Sequence, residues 1–454
     1  MTTVRFAPSP TGKIHIGNAR TALLNYLYAK KRDGSFILRF DDTDAERSKQ
    51  EYADAISADL DWLGIVPDRI EKQSARFALY DEAADKLREQ GLLYRCYETP
   101  DELDRQRKRR LSRGLPPVYD RSALKLTDED HARFAEEGKQ PHWRFLLKNY
   151  DSDPFDTKRV DSRWDDVIRG PQTADLSSLS DPVLIRGDGT YLYTLPSCVD
   201  DLDMGVTTIM RGDDHVTNTA VQLMVFAALG ADELPAFGHH NLLQDKSGGG
   251  LSKRLGSLSL ESLREEGYEA GSVASLATLI GTSLPVEPKA TLDELVELFE
   301  PKVVTKSAAK FDPDDVKKLN AQLVHKITYA EAKPRLDALS VGGGEAFWDA
   351  ISGNLDVFNE VSKWWDAINT PQKVEFSDED MEFLVKAKEL LPDDPFDGST
   401  WGVWTSALKE ATGRKGKQLF MPLRRAITGL EFGPELAAVL PIVGRQEILA
   451  RLPE

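Results

Sequence analysis

The stretch that most constrains the fold is Val4–Phe40, "VRFAPSPTGKIHIGNARTALLNYLYAKKRDGSFILRF". Val4–Ala7 reads as a short strand, and Pro8 and Pro10 then bar regular pairing. From Gly17 the apolar positions Ala19, Ala22, Leu23, Tyr26 and Leu27 recur at the spacing of one helix face. Asp33-Gly34 breaks the helix, and "SFILRF" follows as a nearly continuous apolar strand. A β–loop–α–β unit with apolar strands implies parallel pairing buried on both faces, as in a doubly wound α/β sheet.

The pattern continues with helical periodicity over 45–63 (Tyr52, Ile56, Leu60, Leu63) and 75–90 (Phe77, Tyr80, Ala84, Leu87). "LLYRCY" reads as a strand. Residues 98–185 change character: charged, dotted with proline and irregular, they read as an insertion within the sheet domain. The α/β pattern returns with the strand "MGVTTIM", the loop "RGDDHVTN", the helix "TAVQLMVFAALG" and the strand edge "FGHHNLL". From about 260 onward strand signals largely vanish and the text is helical.

At 454 residues and 41% hydrophobic content the chain is too long for one core and implies two to four domains. No segment approaches the roughly 18–20 unbroken apolar residues of a membrane span. The first residues do not read as a signal peptide, and two cysteines, Cys96 and Cys198, make neither a disulfide framework nor a closed zinc site. The expectation is a soluble cytoplasmic protein. Its net charge of −17 argues against a nucleic-acid partner, but two basic clusters argue the other way. These are "RQRKRRLSR" (Arg105–Arg113) and, within "GRKGKQLFMPLRRA", Arg414, Lys415, Lys417, Arg424 and Arg425. Either alone reads as a solvated face; two in an acidic chain make a long polyanion plausible.

Open α/β sheets bind ligands at the carboxyl ends of their strands. The chain places unusual polar residues at three such ends: Pro8–Asn18, "RFDDTD" with Arg39, Asp41, Asp42 and Asp44, and "RGDDH", Arg211–His215. A helix N-terminus at the same crevice suits phosphate. Gly17 allows close approach to backbone, and His15 can donate to phosphate oxygens. The glycine-flanked "LSKR" adds Ser252, Lys253 and Arg254. Positive charge over a polyphosphate leaving group is what phosphoryl or nucleotidyl transfer requires. Each feature alone is weak: a lone histidine is more often a cap, and an acidic string is as often a turn.

Together they resemble a known family. "RFAPSPTGKIHIGNARTAL" is similar to the HIGH-region signature of the bacterial glutamyl-tRNA synthetases of class I, and "GLSKR" stands where their KMSKS-type loop belongs. The likeness runs on through "LRFDDTD", "DLDWLGI", "YRCYETPDEL", "MGVTTIMRGDDHVTNT", "SAAKFDPDDVKKLNAQL" and "GRKGKQLFMPLRRAITGLEFGPEL", in family order over nearly the whole chain. The resemblance implies an α/β Rossmann-type catalytic domain in two halves, 1–97 and 186–250, separated by an acceptor-end-binding insertion at 98–185. A mobile loop and helical stem-contact domain would follow at 251–315, then an all-α anticodon-binding region at 316–454. It implies ATP-dependent ligation of L-glutamate to the 3′ end of tRNA(Glu) through a glutamyl-adenylate, releasing AMP and pyrophosphate, with tRNA(Gln) left open as a second acceptor.

Carried over position by position, the resemblance assigns catalysis to His15 and Lys253. ATP would meet Pro8, Ser9, Gly12, His15, Gly17, Asn18, Ser252, Lys253 and Arg254. Glutamate would meet Arg5, Ser9, Asp41, Tyr193 and Arg211, the arginines forking onto carboxylates and Asp41 taking the α-ammonium. Mg²⁺ is expected with ATP; zinc, a membrane and an oligomer are not. Four positions depart from the family pattern. Asn18 replaces the signature's last histidine, Gly250 the loop's first lysine and Asp41 a glutamate, while Cys96 stands without the Cys/His cluster of zinc-containing relatives. Ser197 receives no role. Two readings compete. One is an enzyme of the same superfamily with another product, either a truncated relative that glutamylates a tRNA base and lacks the anticodon half or a glutaminyl enzyme with β-barrels there. The other is a non-catalytic tRNA-binding paralogue, which would have lost His15 or Lys253. A small-molecule nucleotidylyltransferase would not need the C-terminal helical half or the basic clusters.

Overall fold

The two apolar runs flanking the first helix lie side by side in a parallel sheet. In the computed structural model, which describes residues 1–245, 248–249 and 259–454, Thr3–Phe6 (β1) pairs in register with Ser35–Phe40 (β2), Val4 opposite Phe36. Ile16–Lys30 (α1) crosses between them, burying Ala19, Ala22, Leu23 and Leu27. Next come Gln50–Trp62 (α2), Arg69–Lys72 (β3), Phe77–Glu89 (α3) and Leu93–Cys96 (β4). α2 starts later than the periodicity suggests, because Asp44 accepts from the Arg47 amide and guanidinium and closes a turn first.

The chain continues through Pro100–Ser112 (α4), Asp128–Glu136 (α5), His142–Phe145 (β5), Asp161–Asp166 (β6), Gly170–Asp175 (β7) and Val183–Ile185 (β8). Then follow Thr194–Asp203 (α6), Thr208–Gly212 (β9), Val216–Ala228 (α7), Ala236–His240 (β10) and Leu243–Gln244 (β11). Leu260–Glu266 (α8), Ala270–Leu279 (α9), Leu292–Leu298 (α10) and Ala309–Lys310 (β12) lead to the second unit.

The main sheet has the order β3-β2-β1-β9-β10-β6-β7, parallel throughout except for the edge strand β7. Strand order reverses between β1 and β9, which opens a crevice at their carboxyl ends. Part of the irregular segment therefore belongs to the main sheet: β6 and β7 extend it, whereas β4, β5 and β8 form a separate antiparallel sheet. Their alternation of charge and small residues ("DSRWDD", "GPQTAD") carries no apolar period, which is why sequence alone did not read them as strands.

Two compact units divide the chain: residues 1–262 with 274–312, and residues 263–273 with 313–454. The second is all helical among its described residues: Pro313–Val324 (α11), Tyr329–Ala338 (α12), Gly344–Ile351 (α13), Val361–Asn369 (α14), Asp378–Glu389 (α15), Thr400–Thr412 (α16), Lys417–Thr428 (α17), Leu436–Val443 (α18) and Arg445–Arg451 (α19). Its core is built on Phe347, Trp348, Phe358 and Trp404, all essentially inaccessible. The two indoles satisfy their N–H groups on backbone carbonyls, Trp348 on Ile327 at 3.0 Å and Trp404 on Ala387 at 2.9 Å.

Candidate active site

The crevice at the β1/β9 reversal is a cleft of 650 Å³. Pro8, Ser9, His15, Gly17, Asn18, Arg5, Asp41, Tyr193 and Arg211 all line it; Gly12 does not. Ser252, Lys253 and Arg254, with Gly250 and Lys246, lie outside the described residues.

The strand-end loops are tied by their backbones, with the Asp41 amide donating to Pro8 O and the Lys49 amide to Pro10 O, each at 3.0 Å. His15 caps α1. Its Nδ1 accepts from the Gly17 amide at 3.1 Å, and the Asn18 side-chain oxygen accepts from the His15 amide at 3.2 Å. Burial lowers the His15 pKa, so the ring is neutral at pH 7. With Nδ1 accepting, the proton sits on Nε2, leaving a donor for an anionic ligand. A Cβ at Gly17 would stand 2.9 Å from His15 Cε1, so a side chain there would push the imidazole away.

The acidic string divides its labour. Asp42 accepts from the Ser74 amide and hydroxyl, both at 2.7 Å, and Asp44 closes the turn described above. Asp41 alone reaches the cleft, but not as a free carboxylate: it takes Arg39 Nε at 2.7 Å. Arg39 is fully buried and also donates to Asp201 at 2.7 Å. Burial pushes the Asp41 carboxyl above its ordinary pKa against the pull of Arg39.

Behind this pair lies a buried network absent from the sequence reading. Asp200 and Asp201 sit on α6 in "PSCVDDLD". Asp200 accepts from Gln73, Arg76 and Tyr80 at 2.7–2.9 Å. Arg5 lays Nε and Nη2 against Asp201 at 3.1–3.3 Å. Burial would raise the Asp201 pKa, but Arg5 and Arg39 outweigh it and hold the carboxyl below its ordinary range. Two adjacent aspartates inside an apolar helix pattern are the signal that could have revealed them.

Arg211 differs from these arginines. It is 5% exposed, and among the described residues no carboxylate pairs with it. Its Nε donates to His239 Nε2 at 3.2 Å, Nη1 to the Tyr193 hydroxyl at 3.0 Å and Nη2 to the Thr219 hydroxyl at 2.8 Å. A buried cation held only by neutral acceptors has charge left to meet an anion. Asp214 and His215 border it, and burial, with Arg211, lowers the His215 pKa.

Outside the cleft, the cysteine expected to stand alone does not. Cys96, Glu98 and His142 bring one ligand atom each within 4.8 Å of one another. The set suits zinc poorly: structural zinc sites use four Cys or His donors. Burial pushes the Cys96 thiol up to about 12, and Glu98 already takes the Tyr119 hydroxyl at 2.5 Å.

The basic clusters also separate. On α4, which buries no residue, and at Arg113 just after it, the side chains of Arg107, Arg109 and Arg113 have no hydrogen-bonding partner among the described residues. In the second cluster the three arginines serve their own fold: Arg414 binds Asp380 at 2.6 Å, Arg424 the Pro434 carbonyl and Arg425 the Glu375 carbonyl. Only Lys415 and Lys417 remain exposed there.

The catalytic-domain family of class I tRNA synthetases for E and Q matches residues 1–318, and an anticodon-binding domain family matches residues 294–454. The chain is 60% identical to glutamate–tRNA ligase 1 of Brucella ovis and 59% identical to glutamate–tRNA ligase 2 of Brucella melitensis, over 99% of each chain. In structure it is similar to a glutamate tRNA ligase of Elizabethkingia meningosepticum crystallised with its amino acid, with TM-score 0.82 and 26% identity over 99% of this chain and 98% of that one. A parallel sheet that reverses at a His-Gly helix cap, a buried arginine across the crevice and 60% identity over the full length to these enzymes lead to one family: the chain belongs to the glutamate–tRNA ligases, class I aminoacyl-tRNA synthetases.

Proposed function

We propose that the chain ligates L-glutamate to the terminal adenosine of tRNA(Glu) through a glutamyl-adenylate, with the cleft between β1 and β9 as its active site. The observation that carries the reading is Arg211: a buried guanidinium with neutral partners, facing a helix N-terminus across a cleft that also holds Asp41. The Arg211 charge would take a substrate carboxylate and the Asp41 carboxylate the α-ammonium, while Arg5 keeps Nη1 outside its pair with Asp201. Ser9 and Tyr193 would border the amino acid.

ATP would lie over Pro8, Ser9, His15, Gly17 and Asn18, with the His15 Nε2–H and the α1 N-terminus on phosphate. From sequence, Gly12, Ser252, Lys253 and Arg254 would close on the same phosphates. Magnesium would arrive with ATP as part of the substrate; the lining carboxylates are Asp41, already engaged by Arg39, and Asp214. An α-carboxylate oxygen of glutamate attacks the α-phosphorus, and the bond to the β-phosphate oxygen breaks to release pyrophosphate. A ribose hydroxyl of the terminal adenosine then attacks the acyl carbon, AMP leaves, and the hydroxyl proton passes to solvent or AMP. Positioning and charge stabilisation carry both steps.

The remaining assignments rest on the same reading. The segment 98–185, with the unengaged arginines of α4, would hold the acceptor end. Residues 251–315 would meet the stem, and 316–454 would read anticodon bases. The protein would act as a monomer in the cytoplasm, without zinc. tRNA(Gln) is a second acceptor to be tested, not assumed. Charging of purified tRNA(Glu) and tRNA(Gln), assayed separately with radiolabelled glutamate and ATP, tests the reading; failure on both overturns it. In the same assay Lys253→Ala should lose kcat far more than ATP affinity, and unchanged values for both would remove Lys253 from the site.

A further inference from the structure

We propose that His239 is a positioning residue for Arg211, a neutral spacer that Asp166 locks in one tautomer so that the guanidinium is held in place while its charge stays available to the substrate. The proposal rests on the reading that Arg211 takes a substrate carboxylate.

The three residues come from three adjacent strands. Phe237 of β10 is in register with Asp166 of β6, and His239 of β10 with Arg211 of β9. All three side chains are buried. Arginine has no acceptor, so the 3.2 Å contact between Arg211 Nε and His239 Nε2 requires Nε2 to carry a lone pair. The Thr219 hydroxyl lies 3.0 Å from the same nitrogen. The ring proton is then on Nδ1, which faces Asp166 Oδ2 at 2.5 Å. Asp166 cannot turn away. Its Oδ1 accepts the backbone N–H groups of Ile168, Arg169 and His239 at 2.8–3.1 Å. Burial, the largest influence, lowers the His239 pKa and keeps the ring neutral despite the neighbouring carboxylate.

The contrast with Arg5 gives the arrangement its consequence. Arg5 pairs directly with Asp201, so its charge is largely answered within the protein. Had a carboxylate stood at 239, Arg211 would be answered in the same way. An imidazole between acid and guanidinium supplies the directional acceptor without the negative charge. Charge is what separates a glutamate side chain from its amide, so the spacer favours the carboxylate.

Two independent readouts test this in the full-length enzyme. In ¹⁵N-histidine-labelled protein, with the His239 signals assigned by their loss in His239→Gln, the wild type should show a protonated Nδ1 and a bare Nε2. An Nε2–H tautomer or an imidazolium would overturn the proposal. Asp166→Asn keeps an acceptor for the three amides but turns an amide N–H toward Nδ1, which moves the ring proton to Nε2 and sets N–H against N–H at Arg211. That variant should raise the glutamate KM by roughly tenfold or more, the equivalent of one good hydrogen bond. Its ATP KM and melting temperature should stay near wild type. His239→Gln, with an amide oxygen near the Nε2 position, should retain more glutamate affinity than His239→Leu. If Asp166→Asn leaves the glutamate KM at wild type while Arg211→Ala raises it, the relay is wrong. If Arg211→Ala itself has no effect, the glutamate assignment of Arg211 has failed, and the tautomer alone decides whether the relay exists.

Discussion

The amide of Gly17 donates to Nδ1 of His15, and a methyl group at position 17 would meet the same ring at 2.9 Å. The glycine therefore does more than admit a ligand: it makes room for the imidazole to fold over the helix start. Gly17→Ala should displace the ring without disturbing the sheet. Charging should fall by about a hundredfold, the cost of misplacing a catalytic group by an ångström. The melting temperature should hardly move. Steady-state charging beside a thermal melt checks this; wild-type kcat in a folded Gly17→Ala enzyme would contradict it.

Asp201 answers two buried arginines, Arg5 and Arg39. Asp201→Asn keeps the shape and one acceptor but removes the charge, leaving buried guanidinium groups poorly compensated. Breaking a buried ion pair from one side costs about 3–5 kcal/mol. Urea denaturation followed by fluorescence should show the first unit unfolding at clearly lower denaturant. A midpoint equal to wild type would mean that the network contributes little.

Five of the seven histidines have depressed pKa values: His15, His142, His215, His239 and His240, burial being the largest cause in each. His240 is lowest, at about 3; its Nε2 lies 3.0 Å from the Thr21 hydroxyl and Nδ1 3.1 Å from the Asn241 carbonyl. The folded chain keeps these rings neutral, whereas the unfolded chain protonates them below about pH 6.5. Stability is thus fully present above that pH and is lost as pH falls, by up to about 1.4 kcal/mol per pH unit for each ring that stays neutral. Melting temperatures from pH 7.5 to 5.0 should decline below 6.5, and less steeply in His240→Gln. A flat profile would contradict the assignment.

Cys96, Glu98 and His142 converge without forming a four-donor site. Metal analysis of protein purified without chelator should find zinc far below one ion per chain, and a chelator should leave the melting temperature unchanged. Stoichiometric zinc would overturn the reading.

The sequence by itself determined the parallel α/β core, because apolar runs on either side of an amphipathic helix bury themselves in only one way. It also determined that His15 and Gly17 stand at the start of the first helix and that the C-terminal region is all helical, since both follow from a local apolar period; that His15 caps the helix came from the structure. From the residues themselves Asp41 and Arg211 were legible only as polar positions at strand ends, and the resemblance alone gave them a ligand. Only the tertiary structure decided their states. It set Arg39 behind Asp41, tied Asp42 to Ser74 and Asp44 into a turn, and gave Arg211 neutral partners in His239, Tyr193 and Thr219. It also divided the C-terminal basic cluster, tying three arginines into the fold and leaving two lysines exposed. Charge is written in single residues, but whether a charge is answered depends on partners that only the fold brings together, from neighbours in the chain to Asp201, which lies 196 positions from Arg5.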